Sequence, residues 1–186
     1  MQTIGYHGKQ AYSCPPSKDH SARAEAKRAL GIAPESQHLL ICCPNSEADL
    51  LVDIIAMIYV GDDHDSEISV ICGENKPLFR QLEKELGHIE TIHLYDTPSE
   101  LPFLIDSADL LLSEPHEIIA AEAAKHRLPL VLLRRDNRLP PASFRELFAK
   151  GCAIVAWDDV KIAEICIELL ADEVRRAKMA NAYLTE

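Results

Sequence analysis

The sequence has no long hydrophobic segment and no excess of positive charge, and each absence excludes a class of protein. Its longest apolar runs fall far short of the ~20 residues that a membrane-spanning helix requires. The first twenty residues lack the apolar core of a secretory signal, so we expect a cytoplasmic protein without membrane insertion. The net charge of −11 argues against nucleic acids and anionic membrane surfaces as partners, because both are bound through basic patches.

The sequence also lacks the spacings that mark a metal centre or a catalytic centre. None of the six cysteines forms a C-x-x-C pair, and the eight histidines are scattered. No Ser-His-Asp, Cys-His or paired-carboxylate arrangement has a persuasive spacing. We therefore assign no catalytic residue, no metal ligand and no cofactor, and we expect reduced cysteines.

What the sequence does contain is a regular alternation of short apolar segments with helical patterns. With 186 residues, 47% of them hydrophobic, the chain suits a single domain with a substantial core. The apolar segments predict strands at 38–43, 67–72, 89–94, 108–113, 128–133 and 152–157. Helices between such strands imply crossover connections, and hence an α/β fold with a parallel sheet covered on both faces. Residues 1–20 show no periodicity and are interpreted as an extended arm before a domain at 21–186.

The helix expected after the first strand begins in the polar sequence Asn45-Ser46. Asparagine and serine are favoured at helix N-caps because their side chains accept hydrogen bonds from the first free amides. We therefore expect Asn45 or Ser46 to cap this helix.

Three segments of the chain carry a resemblance to a known family: "VICGENKPLFRQLEKELG", "SADLLLSEPHEIIAAEAAKHRLPLVLL" and "FAKGCAIVAWDDVKIAEICIELLADEVRRAKMANAYL". Together they resemble the C-terminal domain of the monogalactosyldiacylglycerol synthase and MurG group of GT-B glycosyltransferases, over residues 22–184. This resemblance implies a Rossmann-like, six-stranded parallel sheet in the order 3-2-1-4-5-6. In that group this half binds the nucleotide sugar, commonly a UDP-sugar, and the other half binds the acceptor.

Several nucleotide-binding positions of that group have a match in this sequence. Gly73 and Asn75 match a Gly-x-Asn loop, and Leu94 and Tyr95 match the segment whose backbone holds the uracil. Glu122 matches a glutamate that hydrogen-bonds the ribose hydroxyls. Each match has a structural alternative: Asn75 also suits a helix cap beside a tight turn at Gly73, and Glu122 also suits an exposed helix face.

The turn after the fourth strand departs from the group's pattern. Pro115 matches the group's proline, but His116 and Glu117 replace two glycines and Ile119 replaces a threonine. Glycines at a helix start let a diphosphate approach bare amides, and threonine adds a hydroxyl donor. The carboxylates of Glu114 and Glu117 would repel a diphosphate instead. The turn thus keeps the position of a diphosphate site without its chemistry.

Two further ligand loops have changed as well. The loop after the first strand has lost its glycines and contains Pro44, Glu47 and Asp49. The loop after the fifth strand lacks the group's Gly-Gln-Glu, and its arginines either contact phosphate or face solvent; they are Arg134, Arg135 and Arg138.

Two functions fit these observations. The first is a non-catalytic binding or interaction domain, with at most weak affinity for a nucleotide or nucleotide sugar. The alternative is the UDP-sugar-binding subunit of a split glycosyltransferase, which needs a separate acceptor-binding partner. A nucleotide-sugar epimerase of the same fold ranks last, because no matching acid–base set is found. As partner we expect a second copy of the chain, forming a homodimer, or a separate acceptor-domain protein.

Overall fold

The computed structural model describes residues 20–63, 66–96, 101–134 and 142–184. These residues form six strands, β1 (His38–Cys42), β2 (Glu67–Ile71), β3 (Ile92–Tyr95), β4 (Leu110–Ser113), β5 (Leu130–Leu133) and β6 (Ala153–Ala156). The helices are α1 (His20–Ala29), α2 (Ala48–Gly61), α3 (Lys76–Leu86), α4 (Leu101–Ser107), α5 (Glu117–His126), α6 (Ala142–Lys150), α7 (Asp159–Ala171) and α8 (Glu173–Ala182). The predicted arm lies outside the described residues, except that His20 already belongs to α1.

The strands form one parallel sheet in the order β3-β2-β1-β4-β5-β6. The predicted fold class and strand order are therefore confirmed. Successive side chains of β1 enter opposite layers of the core: Leu39 and Ile41 pack on one side, and Leu40 and Cys42 on the other. This explains why the strands are continuous apolar runs rather than alternating ones.

Each face of the sheet is covered by a separate group of helices. Buried residues of α2, α3 and α7 pack on one face, and buried residues of α4, α5 and α6 pack on the other. Helix α1 packs against α4, and α8 follows α7 at the amino ends of the strands, where Arg176 bonds Gln37 just before β1.

The third strand was predicted three residues too early. Residues 89–91 form turns instead, because the amide of Ile89 donates to Leu86 O and the amide of Ile92 donates to Ile89 O. Within the described ranges, no helix combines the length and the apolar character needed to cross a membrane.

Candidate functional site

The carboxyl ends of β1 and β4 lie side by side, with Cys42 paired to Ser113. In open parallel sheets, ligands bind in the crevice at these ends. Here the crevice has a volume of about 30 Å³ and is lined by Cys42, Pro44, Asn45, Ser113, Glu114, His116 and Ile119. We call it the carboxyl-edge cleft. Its volume suits one or two waters, whereas small-molecule sites usually measure ~300–1,000 Å³.

The carboxylate of Glu114 forms part of the wall of this cleft and bonds to the turn after β1. Its Oε1 accepts a hydrogen bond of 2.5 Å from Ser46 Oγ, and its Oε2 accepts bonds from Asn45 Nδ2 at 3.0 Å and from Asn45 N at 3.3 Å. Ser113 anchors the backbone next to it, because its hydroxyl lies 3.0 Å from Cys42 O and 2.8 Å from Glu114 O and shares its single donor between these two acceptors. The protein thus places its own anion against the turn that follows β1.

The turn offers few other donors near Glu114. Pro44 has no N–H, and the amide of Ser46 donates to Cys43 O at 3.2 Å. The predicted helix cap by Asn45 or Ser46 is wrong: Glu47 takes the N-cap position of α2, and its side chain does not cap the helix amides. The physical reason is that a hydrogen bond to a carboxylate is about twice as strong as one to a neutral acceptor, so both side chains turn to Glu114.

The start of α5, on the other side of the cleft, has one of its amides already bonded and an acidic residue in its first turn. His116 is its N-cap in extended conformation, and its Nδ1 accepts from the amide of Ile118 at 3.3 Å. Glu117 lies in the first turn, where its charge already complements the helix dipole. Ile119 contributes only an alkyl group to the lining.

Burial disfavours the thiolate form of the two cysteines at the end of β1. Burial, followed by the Glu114 carboxylate, raises the pKa of Cys42 to about 12. The same causes raise the pKa of Cys43 well above its ordinary value. Both residues therefore remain protonated thiols, and a thiol is a poor nucleophile.

Gly73 and Asn75 serve the turn after β2. Asn75 Oδ1 accepts from the amide of Leu78 at 3.1 Å and caps α3, while its Nδ2 donates to Pro44 O at 2.8 Å. Gly73 has φ +60, and a Cβ there would lie 3.7 Å from Pro44 Cβ. The helix cap and tight turn are therefore confirmed, and a nucleotide contact by these residues stays a prediction.

Leu94 and Tyr95 lie at the end of β3, two strands away from the cleft. Both side chains are half-buried against the core, and Tyr95 O accepts a hydrogen bond from Cys72 N at 2.8 Å. Pro115, although it precedes His116, does not line the cleft.

Glu122 lies on α5, outside the residues that line the cleft. Its Oε2 is 3.4 Å from His126 Nε2 and 3.8 Å from Lys125 Nζ. This is the arrangement of an exposed helix face. Among the predicted site residues, the structure thus brings His116 and Ile119 together around Glu114, while the ribose contact of Glu122 stays a prediction.

Only one of the three arginines after β5 lies within the described residues. The Arg134 guanidinium lies over the Trp157 ring, 6.0 Å from its centroid, which is a cation–π geometry. Arg135 and Arg138 fall outside the described ranges.

Sequence reasoning missed Asn45 and Ser46 as partners of Glu114. It treated Glu114 as a charge that repels a ligand, rather than as an acceptor for the donors of Asn45 and Ser46. A signal was available, because the order 3-2-1-4 sets the turn after β1 beside the end of β4.

No family model matches the sequence, and no curated protein matches it either. Solved structures do match. WaaG, a glycosyltransferase involved in lipopolysaccharide biosynthesis, is 21% identical with a TM-score of 0.68, over 90% of this chain and 48% of that one. The UDP-GlcNAc 2-epimerase from Neisseria meningitidis, bound to UDP-GlcNAc, is 19% identical with a TM-score of 0.66, over 88% of this chain and 47% of that one. MurG from Acinetobacter baumannii is 14% identical with a TM-score of 0.59, over 91% of this chain and 49% of that one.

This chain thus spans about half the length of each of these proteins. At such identities the likeness concerns the fold, and fold alone does not fix function. The fold is the Rossmann-like α/β fold of the domains found in GT-B glycosyltransferases and in structurally similar nucleotide-sugar epimerases.

Proposed function

We propose that this chain is a glycosyltransferase C-terminal-like domain that has lost nucleotide-sugar binding and serves as a non-catalytic binding or interaction domain. The observation that carries the proposal is the Glu114 carboxylate in the carboxyl-edge cleft, hydrogen-bonded to Asn45 and Ser46. These are the donors that a diphosphate in this crevice would require.

A diphosphate could enter only by displacing Glu114. That would break three hydrogen bonds to a charged group, each of which contributes ~1.5–3 kcal/mol. The displaced carboxylate would remain beside the incoming anion, and Glu117 would add a second negative charge in the first turn of α5. Both effects weaken binding of a UDP-sugar at this place.

Exposed apolar side chains at the same edge of the sheet support an interaction role. Trp157 is 60% exposed just after β6, Val160 is 49% exposed in the first turn of α7, and Ile118 is 43% exposed in the first turn of α5. Tryptophan is enriched in protein interfaces, where it often dominates the binding energy. We propose that a second copy of the chain covers this edge, with a separate acceptor-domain protein as the alternative partner.

Sedimentation equilibrium of the full chain tests that partner. A homodimer that Trp157→Ala converts to monomer is the expected result. A monomer at the highest attainable concentration would contradict self-association.

The second candidate function is the UDP-sugar-binding subunit of a split glycosyltransferase. It is favoured by Glu122, which keeps a third of its side chain exposed on α5 at the position matched to a ribose ligand. The Neisseria epimerase, similar in fold, is bound to UDP-GlcNAc.

An NMR titration of the ¹⁵N-labelled chain with UDP and UDP-glucose separates the two functions. The proposal expects no saturable shift of the Asn45, Ser46 and Ile118 amides below ~1 mM, an affinity of only about 4 kcal/mol. Saturation of these amides at micromolar UDP-glucose would contradict it and favour the split enzyme. Unlabelled phosphate at equal ionic strength controls for general salt effects.

A further inference from the structure

A cavity larger than the carboxyl-edge cleft lies at the opposite edge of the sheet, beside the amino ends of β1 and β4. It has a volume of about 390 Å³, within the ~300–1,000 Å³ usual for small-molecule sites. Its walls come from α1, α8, the segment 34–37 before β1, Asp109 before β4, and the turn 127–129 before β5. We call it the amino-edge cavity.

Arg23 lines this cavity, and most of its donors have no partner within the described part of the chain. A guanidinium has five N–H donors, and within the described residues Arg23 forms a single hydrogen bond, from Nη1 to Asp109 Oδ1 at 2.8 Å. Its Nε is shielded from solvent and has no partner there. An unpartnered buried cationic donor is costly, and a bound acceptor would remove that cost.

Arg127 is another cation at this cavity whose side-chain donors have no partner among the described residues. Its side chain is half-buried in the cavity wall. The guanidinium makes no hydrogen bond or ion pair with any other described residue. Its backbone has φ 50, in the left-handed region that glycine usually occupies at a helix C-cap. An arginine is therefore held at a position where helix capping alone would favour glycine.

Two buried cations lie beneath these arginines. Lys27 Nζ donates to Asp109 Oδ2 at 2.7 Å and to Ser36 O at 2.6 Å. Arg176 donates to Leu169 O, Leu170 O and Gln37 Oε1. Such bonds fix both charges in place, so they contribute a constant positive potential to the cavity.

The carboxylates of the cavity do not cancel this charge. Burial alone would raise the pKa of Asp109, but Arg23 and Lys27 together lower it below its ordinary value, so its single charge is already shared by two cations. Glu35 and Glu173 are exposed at the rim, where water screens them. The cavity is therefore lined by four cationic side chains and three carboxylates, of which only the Asp109 carboxylate is buried.

We propose that the amino-edge cavity binds a small organic anion bearing phosphate or carboxylate groups, held by the guanidinium groups of Arg23 and Arg127. A planar guanidinium pairs with either group through two parallel N–H donors. The site is separate from the carboxyl-edge cleft, so it goes beyond the proposed function and stands whether or not UDP binds there.

Titration of the ¹⁵N-labelled full chain with pyrophosphate and with citrate tests this proposal. Saturable shifts are expected at the amides of Arg23, Lys27, Asp109 and Arg127, at millimolar or lower probe. The probe that binds with the higher affinity identifies the ligand class: pyrophosphate indicates a phosphate, and citrate indicates a polycarboxylate. Arg127→Gln should weaken binding at least ~tenfold, because charge-assisted bonds are lost. Arg23→Lys keeps the positive charge beside Asp109 but removes the planar pair of guanidinium donors. It should weaken binding of the probe by a similar factor.

Arg28→Gln provides the matched control, since Arg28 is exposed on α1 outside the cavity. The proposal is overturned if neither probe saturates. It is also overturned if the shifts appear at Asn45 and Ser46 instead, or if Arg28→Gln weakens binding as much as Arg127→Gln does.

Discussion

The two edges of the sheet use charge in opposite ways. At the carboxyl edge, one carboxylate, Glu114, consumes the donors of Asn45 and Ser46 and leaves a cleft of about 30 Å³. At the amino edge, cationic donors outnumber the single buried acceptor, Asp109, and leave a cavity of about 390 Å³. The position of a site in the fold therefore does not decide whether it is open. The balance of donors and acceptors among its own side chains decides it.

The edges also differ in how their charges contribute to stability. Asp109 and Lys27 are almost fully buried, so removing one leaves the other unpaired in a medium of low dielectric constant. Ion pairs near the carboxyl edge, such as Lys76 with Asp96, are half-exposed and screened by water. The first predictions below test this contrast.

The largest expected effect is the loss of Asp109. Asp109→Ala should lower the free energy of unfolding by ~3–5 kcal/mol, because Lys27 keeps its charge without its partner. Urea unfolding at neutral pH measures this. Asp96→Ala is the matched control and should cost less than about 1 kcal/mol. Equal losses in the two variants would contradict the contrast between the edges.

The next effect concerns His38, at the amino end of β1. Its ring lies between Ser107 Oγ at 2.8 Å and Ser69 Oγ at 2.9 Å, fully buried. Burial lowers the pKa of His38 from 6.5 to about 4, although Asp109 opposes the shift. The folded protein therefore holds a neutral ring, and as pH falls the unfolded chain binds the proton first.

This contribution to stability is complete above pH ~6.5 and is lost as pH falls towards ~4, by about 3 kcal/mol. Urea unfolding at several pH values within that window measures it. His38→Gln should remove most of the dependence of the unfolding free energy on pH. His88→Gln, at an exposed position, should leave that dependence unchanged. If the unfolding free energy of His38→Gln still depended on pH as in the wild-type chain, another group would be responsible.

A smaller effect tests the turn at the start of α5. The triple variant His116→Gly, Glu117→Gly and Ile119→Thr restores the pattern of the glycosyltransferase group and frees the amide of Ile118. UDP affinity should rise at least ~tenfold, the effect of one recovered charge-assisted bond less the entropy cost of the glycines. Adding Glu122→Ala should cancel part of that gain. No gain would mean that the turn at Pro44–Ser46 still blocks the cleft, or that Glu122 is wrongly matched.

The smallest effect compares two helix caps. Asp158 caps α7 by accepting from the amide of Lys161 at 2.9 Å, whereas His116 caps α5 at 3.3 Å. Asp158→Ala should cost about 1 kcal/mol of stability, and His116→Ala less than that. Thermal unfolding measures both. A larger loss in His116→Ala would show that the ring stabilises the cleft by more than capping.

The fold was predictable because apolar strands and crossover helices are local patterns, and the resemblance supplied their order. Part of the carboxyl-edge cleft was predictable too, since Glu114, His116 and Ile119 follow the same strand. The bonds from Asn45 and Ser46 to Glu114 were missed because a capping serine looks the same in sequence whether it binds an amide or a distant carboxylate. The amino-edge cavity was beyond prediction, because Arg23, Asp109 and Arg176 meet there from widely separated parts of the chain.

Calorimetric titration with UDP, on the wild-type chain and on Glu114→Ala side by side, tests the central claim most directly. If Glu114 occupies the diphosphate position, the wild-type chain binds UDP more weakly than ~1 mM, and removal of the carboxylate strengthens binding by about tenfold. Micromolar binding by the wild-type chain, or identical affinities in the two proteins, would contradict it.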